Sequence, residues 1–355
     1  MQRNVFARFA RMRGRMTSSS HLAVASAFAA AVLTLPALTA QTPPPLRADA
    51  PAGAMPPPWV YTINTPVPPG APAAPADDTP RSVPGSTVRL TRAQLGDLFN
   101  PPDWRPENHP PAPEVVAHGR KPDVRACGYC HYPNGQGRPE NSSLVGLPAA
   151  YIVQQMADMR AGLRRSADPN MRPPAAMLAI AKASTVEEDR AAADYFASFA
   201  YRKWIRVVET ATVATMKVAG GVFVPIVGDG AGTEPIAGRI IETPEDVARA
   251  EVRDSGSGFI AYVPPGSLRR GEALVTTGGG TRTIACGVCH GTDLKGLGAV
   301  PPLAGRSPSY TVRQLFDLQH GTRRGPWAPL MRAAVQKLTL DDMVAIAAYT
   351  ASREP

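Results

Sequence analysis

Two five-residue stretches carry the chemistry most readily read from this chain: Cys127-Gly128-Tyr129-Cys130-His131 and Cys286-Gly287-Val288-Cys289-His290. Each has two thiols three residues apart, followed at once by an imidazole. On one turn of helix, residues three apart share a face. Two such thiols can reach the two vinyl groups on one edge of a porphyrin, and the adjoining histidine then lies under the iron. This is the Cys-x-x-Cys-His signature of covalent haem attachment. The two motifs use all four cysteines of the 355-residue chain. Cys127, Cys130, Cys286 and Cys289 are therefore read as thioether anchors, and His131 and His290 as the proximal iron ligands.

Three other uses of paired cysteines fit less well. A zinc site joins pairs roughly 12–20 residues apart, and these pairs are much farther apart. A redox-active Cys-x-x-Cys gives no reason for the two histidines. Disulfides between such near neighbours give none either.

The motifs anchor an internal repeat. A shift of 159 residues places Gly137 on Gly296, Leu144 on Leu303, Tyr151 on Tyr310, Gln155 on Gln314, Asp158 on Asp317, Gly162 on Gly321 and Arg164 on Arg323. Beyond the arginines the shift becomes 154, placing Met177 on Met331 and Tyr195 on Tyr349. Pro148–Gly162 and Pro308–Gly321 start near proline, stop at glycine and space apolar residues helically. Val186–Phe199 and Leu340–Ala351 are alanine-rich with acidic first turns, and Thr339 is placed to cap the latter.

Met177 and Met331 are the distal-ligand candidates, since a thioether is a soft ligand that favours ferrous iron and raises its potential. Met171 competes with Met177, whereas Met156 and Met159 read as helix packing residues. His109, His118 and His320 read as surface or capping residues. Arg164 and Arg323 are candidates to pair with haem propionates, with a solvated helix-end cation as the alternative. The carbonyl of Pro302 could orient His290, with Ser143 at the matching place in the first copy.

These residues resemble the two-domain dihaem members of the class I c-type cytochromes, over about 112–200 and 266–353. The likeness rests on both Cys-x-x-Cys-His motifs, the Tyr-x-Val-x-Gln helices with Gly-x-Arg behind them, and the downstream methionines. It implies all-α domains around two covalently bound haem c groups with His/Met ligation, and one-electron transfer in the bacterial periplasm.

The expected fold is mainly α. Two class I cytochrome c domains, 101–201 and 266–355, are joined by a β-rich linker at 202–265. Strands are expected over Trp204–Glu209, Gly221–Val227, Ile236–Glu242 and Gly258–Val263. Residues 1–40 have the arginines, apolar run and small-residue end of an export signal; if retained, this segment would anchor the chain to a membrane. Residues 41–100 read as a proline-rich, largely disordered arm, with 14 prolines between 41 and 90.

The net charge of +9 falls to 33 basic against 29 acidic side chains without the five arginines of residues 1–40. With no basic run interleaved with aromatics, it does not point to nucleic acid. The expected function is a periplasmic electron carrier between redox protein partners, with no enzymatic acid or base. One alternative is an electron-transfer subunit of a larger dehydrogenase or oxidase complex, peripheral to a membrane. The other is a dihaem peroxidase-type enzyme, which needs one iron without a strong distal ligand; the matched methionines argue against it.

Overall fold

In the computed structural model the described residues are 55–64, 70 and 77–355. The export signal at 1–40 lies outside them, as do 41–54, 65–69 and 71–76 of the arm. The described residues belong to one compact unit.

The first helical set comprises α1 (Arg92–Leu95), α2 (Glu114–Ala117), α3 (Cys127–His131), α4 (Ala149–Arg160), α5 (Arg172–Ala183) and α6 (Val186–Ala197). The linker carries β1 (Ile205–Glu209), β2 (Thr212–Ala214), β3 (Met216–Ala219), β4 (Val222–Pro225), β5 (Thr233–Pro235), β6 (Ile241–Pro244), α7 (Val247–Glu251) and β7 (Phe259–Val263). The second helical set is α8 (Ser267–Thr277), α9 (Gly287–His290), α10 (Pro308–Gln319), α11 (Ala328–Val335) and α12 (Leu340–Ser352).

The helix limits follow local chemistry. Thr185 and Thr339 each accept from the backbone N–H three residues on, and Glu188 and Asp342 reciprocate, forming capping boxes on α6 and α12. Ser307 caps α10 the same way without the reciprocal bond. The first set closes over Val116, Val124, Ile152, Ala193 and Phe196. The second closes over Val312, Phe316, Val335, Met343 and Ala347. Helices α8 and α12 lie in close contact along their lengths.

In the linker, β1 pairs in parallel with β7 and β6 pairs antiparallel with β7, giving a three-stranded mixed sheet. The strand pairs β2–β5 and β3–β4 are antiparallel. Its buried face, Ile205, Phe259, Ala261 and Val263, belongs to the same apolar cluster as the second helical set.

The reading of 41–100 as largely disordered does not hold for its described residues. Val60 and Tyr61 are fully buried in the main core. Tyr61 donates to Asp317 Oδ1 at 2.9 Å, and Arg313 donates to the Val60 carbonyl at 2.8 Å. Thr62 donates to the Gly221 carbonyl, whose own N–H returns a bond to Asn64. Farther along, Val83 and Leu95 pack with Trp104 and Val252. Proline excludes regular secondary structure without excluding burial, and Trp59-Val60-Tyr61 provides enough apolar surface to fix the strap.

Candidate haem sites

The attachment turns are short helices because the chain reverses immediately after each histidine. Tyr132 and Gly291 occupy equivalent places there, at φ +63° and +82°. His131 is buried and its Nδ1 lies 2.7 Å from the Ser142 carbonyl; His290 is buried with Nδ1 2.7 Å from the Pro301 carbonyl. Ser142 and Pro301 are themselves 159 residues apart, so both copies use one device. An imidazole donating from Nδ1 keeps the Nε2 lone pair free for a metal. Burial holds both imidazoles below the ordinary histidine range, which favours that neutral form. The anchor expected at Pro302 is therefore one residue earlier, and the first copy, with Ser143 at the matching place, uses Ser142 in the same way. A main-chain carbonyl carries no residue-type signature, so composition could not locate it.

No disulfide joins any of the four cysteines. Burial pushes the Cys127 thiol up to about 12 and the Cys286 thiol up to about 11. Such thiols are unlike the low-pKa thiolates of redox or nucleophilic cysteines. Among the described residues no group of three or more His, Cys, Asp or Glu is arranged to hold a bare metal ion.

One cleft brings His131 and Met177 together, with Leu144, Leu147, Tyr151 and Ile152 on its apolar walls. It opens to solvent on one side, and its walls are mainly apolar. Its polar end holds Arg164, Arg165 and Ser166, and Ser166 Oγ is buried without a hydrogen-bond partner. A flat apolar ring system with carboxylate tails matches such a cleft. Met156 and Met159, read as packing residues, also line it. Met171 does not line it; it caps α5 and is fully buried in the main core. In the second copy Cys286, Leu303, Ala328 and Met331 flank the main core together, each only partly buried.

The other histidines have local partners. His320 stacks on Phe316 with ring centroids 3.9 Å apart. His118 ends α2 and lies 3.0 Å from Asn100 Oδ1. His109 lies 3.1 Å from Asp103 Oδ2 and 2.9 Å from Tyr195 Oη.

Arg164 and Arg323 are half-buried and are not confined to their own halves. Arg164 donates to Tyr310 Oη at 2.7 Å, and Arg323 donates to Tyr151 Oη at 2.7 Å. Each also donates to both Gln155 and Gln314, at 2.9–3.1 Å. The backbones beside them pair antiparallel, through Arg165 N–H to the Thr322 carbonyl and Arg324 N–H to the Leu163 carbonyl. The repeated Tyr, Gln and Arg thus form a pseudo-twofold seam between the haem-bearing halves, next to the cleft.

Hydrogen bonds to a charged group contribute about 1.5–3 kcal/mol each. Tyr151→Phe and Arg323→Lys are each expected to cost about 1–3 kcal/mol in chemical denaturation. As direct partners, they should couple by about 0.5–3 kcal/mol in a double-mutant cycle. A coupling of zero would show that the seam bears no load.

No protein-family profile matches the chain. Over 70 residues it is 40% identical to cytochrome c-554(548) of Halomonas halodenitrificans, covering 19% of this chain and 84% of that protein. Over 238 residues it is 27% identical to the thiosulfate dehydrogenase electron acceptor of Stutzerimonas stutzeri, covering 66% of this chain and 82% of that protein. Among solved structures, a thiosulfate dehydrogenase from Marichromatium purpuratum is similar at 27% identity and a TM-score of 0.43. That match covers 67% of this chain and 39% of the other.

Proposed function

Because this chain belongs to the cytochrome c family, we propose that it relays single electrons through two haems, each held by one of its two attachment turns. It carries two covalently bound haem c groups and serves as an electron carrier. In this reading Cys127 and Cys130 anchor the first group and Cys286 and Cys289 the second. His131 and His290 bond iron through Nε2, and Met177 and Met331 complete the coordination. The observation that carries the reading is the repeated anchor: one main-chain carbonyl, at Ser142 and again at Pro301, holds each imidazole's Nδ1 and frees its Nε2.

When bound, haem iron supplies the one-electron redox couple. The chain's part is to hold the ligands still, so that geometry changes little between oxidation states. The two carbonyls fix the imidazole planes. Helices α5 and α11 place a thioether in each copy at equivalent positions of the repeat. Arg164, Arg165 and Ser166 offer donors at the polar end of the first cleft, where the unused N–H groups of Arg164 can meet a propionate. Arg323 has the corresponding place in the second copy. No side chain is needed as acid or base, because the electron moves without a proton.

We place the protein outside the cytoplasmic membrane, as its N-terminal arginines and apolar run suggest. Among the described residues no helix is long and apolar enough to cross a membrane. A second reading is favoured by the 238-residue similarity to an electron acceptor of thiosulfate dehydrogenase: the chain would be the dedicated acceptor of a sulfur-compound dehydrogenase. Co-purification of a thiosulfate-oxidising enzyme from native extracts would support it over a free carrier.

The test is spectroscopic. The reduced protein should show two haems per chain that survive acid–acetone extraction. The oxidised protein should show the weak near-infrared band of a methionine–iron bond. Met177→Ala and Met331→Ala should each remove about half of that band and lower the potential of one haem, since loss of the thioether removes a ligand that raises it. Full retention of the band in either variant would move the distal ligand elsewhere, to Met156 or Met159 in the first copy.

A further inference from the structure

The two attachment turns are equivalent in sequence but differ sharply in what covers them. In the first copy the loop from Tyr132 to Glu140 is buried but for Asn134; in the second, Thr292, Asp293, Lys295, Leu297 and Gly298 are exposed. Arg138 is 7% exposed, while Leu297, its counterpart, is 63% exposed. Tyr129 is half-buried, while its counterpart Val288 is 69% exposed.

The cover on the first turn comes from the chain itself. Arg253, which follows α7 at φ +61°, lays its guanidinium 4.4 Å from the Tyr129 ring centroid and donates to the Tyr129 carbonyl. Arg138 pairs with Glu140 at 2.7 Å and donates to the Gly220 carbonyl, in the turn between β3 and β4, at 3.0 Å. Tyr132 meets Trp204 edge-on with ring centroids 6.5 Å apart. Thus linker residues lie where a redox partner would need to approach.

Around the second turn there is no such cover among the described residues. Ile284, Val288 and Leu297, in and around that turn, are exposed, and so are Trp327 and Leu330 on the segment that carries Met331, the latter 74% exposed. The two segments are joined, since Thr283 donates to the Ala334 carbonyl at 2.7 Å. Residues 282–297 and 324–337 contain five basic side chains, Arg282, Lys295, Arg324, Arg332 and Lys337, against the single acid Asp293. Arg282 is partly satisfied by Asp342 at 3.4 Å, and Lys295 donates to the Pro355 carbonyl at 2.9 Å; with a single acid among these residues, the balance of charge is basic.

We propose that the redox partner docks on this face alone, around Val288, Leu297 and Leu330, and that the second haem is therefore the chain's port. The inference rests on the relay reading above. The partner it fits is a redox protein presenting a small apolar patch ringed by carboxylates. Apolar contact gives close approach, and the excess of basic charge steers encounter and sets its salt dependence. Such a contact buries less than about 1,200 Å² and is short-lived, as electron-transfer complexes are. The first haem exchanges electrons through the second, across the seam of Tyr151, Arg323, Tyr310 and Arg164.

The test uses the full holoprotein and an acidic blue-copper protein whose copper is ringed by carboxylates. Both are kept reduced, so that no electron moves and binding alone is read. Amide shift changes on titration should centre on residues 284–297 and 327–332. Leu297→Glu and Leu330→Glu, both surface substitutions, should each weaken binding about tenfold or more at low ionic strength. Arg125→Ala, which makes the same change of charge at an exposed position beside the first turn, should leave it unchanged. Shift changes centred on residues 125–138, equal binding by Leu330→Glu and the parent, or no binding at low salt would each overturn the proposal. So would self-association through this face that Leu330→Glu abolishes. Haem content measured on the same samples separates the two claims. Two covalent haems with failed docking sink only the port, whereas fewer than two sink the relay itself.

Discussion

Replacing Gly271 by valine should destabilise the protein by roughly 3 kcal/mol and lower the yield of covalently attached haem in the second half. Gly271 lies in the middle of α8, where that helix crosses α12. A Cβ there would come 2.6 Å from Tyr349 Cβ, and still closer to the Ala345 carbonyl oxygen. The obstacle is largely main chain, so it cannot rotate away. The helices must separate, and α12 is buried along almost its whole length. The effect extends to the site because the Cys286 N–H donates to the Val275 carbonyl of α8 at 2.9 Å. Shifting α8 therefore tilts the attachment turn. Gly271→Ala should show the same direction with a smaller loss, since the first added carbon already meets the carbonyl. Denaturant midpoints and haem per chain, measured side by side, check both parts. A valine variant as stable as the parent would mean that α8 and α12 do not cross at this glycine.

So close a backbone approach has no signature in residue type. By the repeat, Gly271 falls on Ala112, so its own type gives no hint that a backbone passes within contact distance. The attachment turns, the Thr339 cap on α12, the acidic first turns of α6 and α12 and the paired long helices were legible because short-range rules produce them. Of the strand expected at Ile236–Glu242 only Ile241 and Glu242 are strand, at the start of β6, while Ile236–Ile240 form the turn after β5; β2, β3 and β5 were not anticipated. Strand limits depend on partners distant in sequence. The repeated Tyr, Gln and Arg could be read as important, but not as crossing from one half to the other. A repeat records equivalence and leaves open whether each arginine meets its own tyrosine or its twin's. The buried Trp59-Val60-Tyr61 strap was missed for a related reason. Proline content reports the absence of regular structure, whereas burial depends on Asp317 and Arg313, more than 250 residues away.

The same asymmetry of cover sets up the second large effect. Cys286→Ser with Cys289→Ser is expected to remove one haem per chain, seen as an intact mass lower by one porphyrin and about half the visible absorbance. It should also cost the second half of the molecule several kcal/mol. Cys286, Leu303, Ala328 and Met331 flank the main core while remaining only partly buried. Without a covalently held group against them, that apolar surface returns to water, at about 25 cal/mol per Å². Helix α11 is then held mainly by Gln319, which donates to the Val335 and Leu338 carbonyls at 2.8 Å each, and by Thr283. It should loosen first, giving an early thermal transition in the second helical set. The matching pair, Cys127→Ser with Cys130→Ser, should also lose one haem but less stability. Its turn is clasped by Arg253, its histidine loop by Trp204 and the turn between β3 and β4, and these contacts involve no cofactor. Calorimetry on the two double variants reads the difference directly. Equal losses would mean that the linker only screens the first turn from solvent; a larger loss in the second means that it also replaces part of what the haem provides.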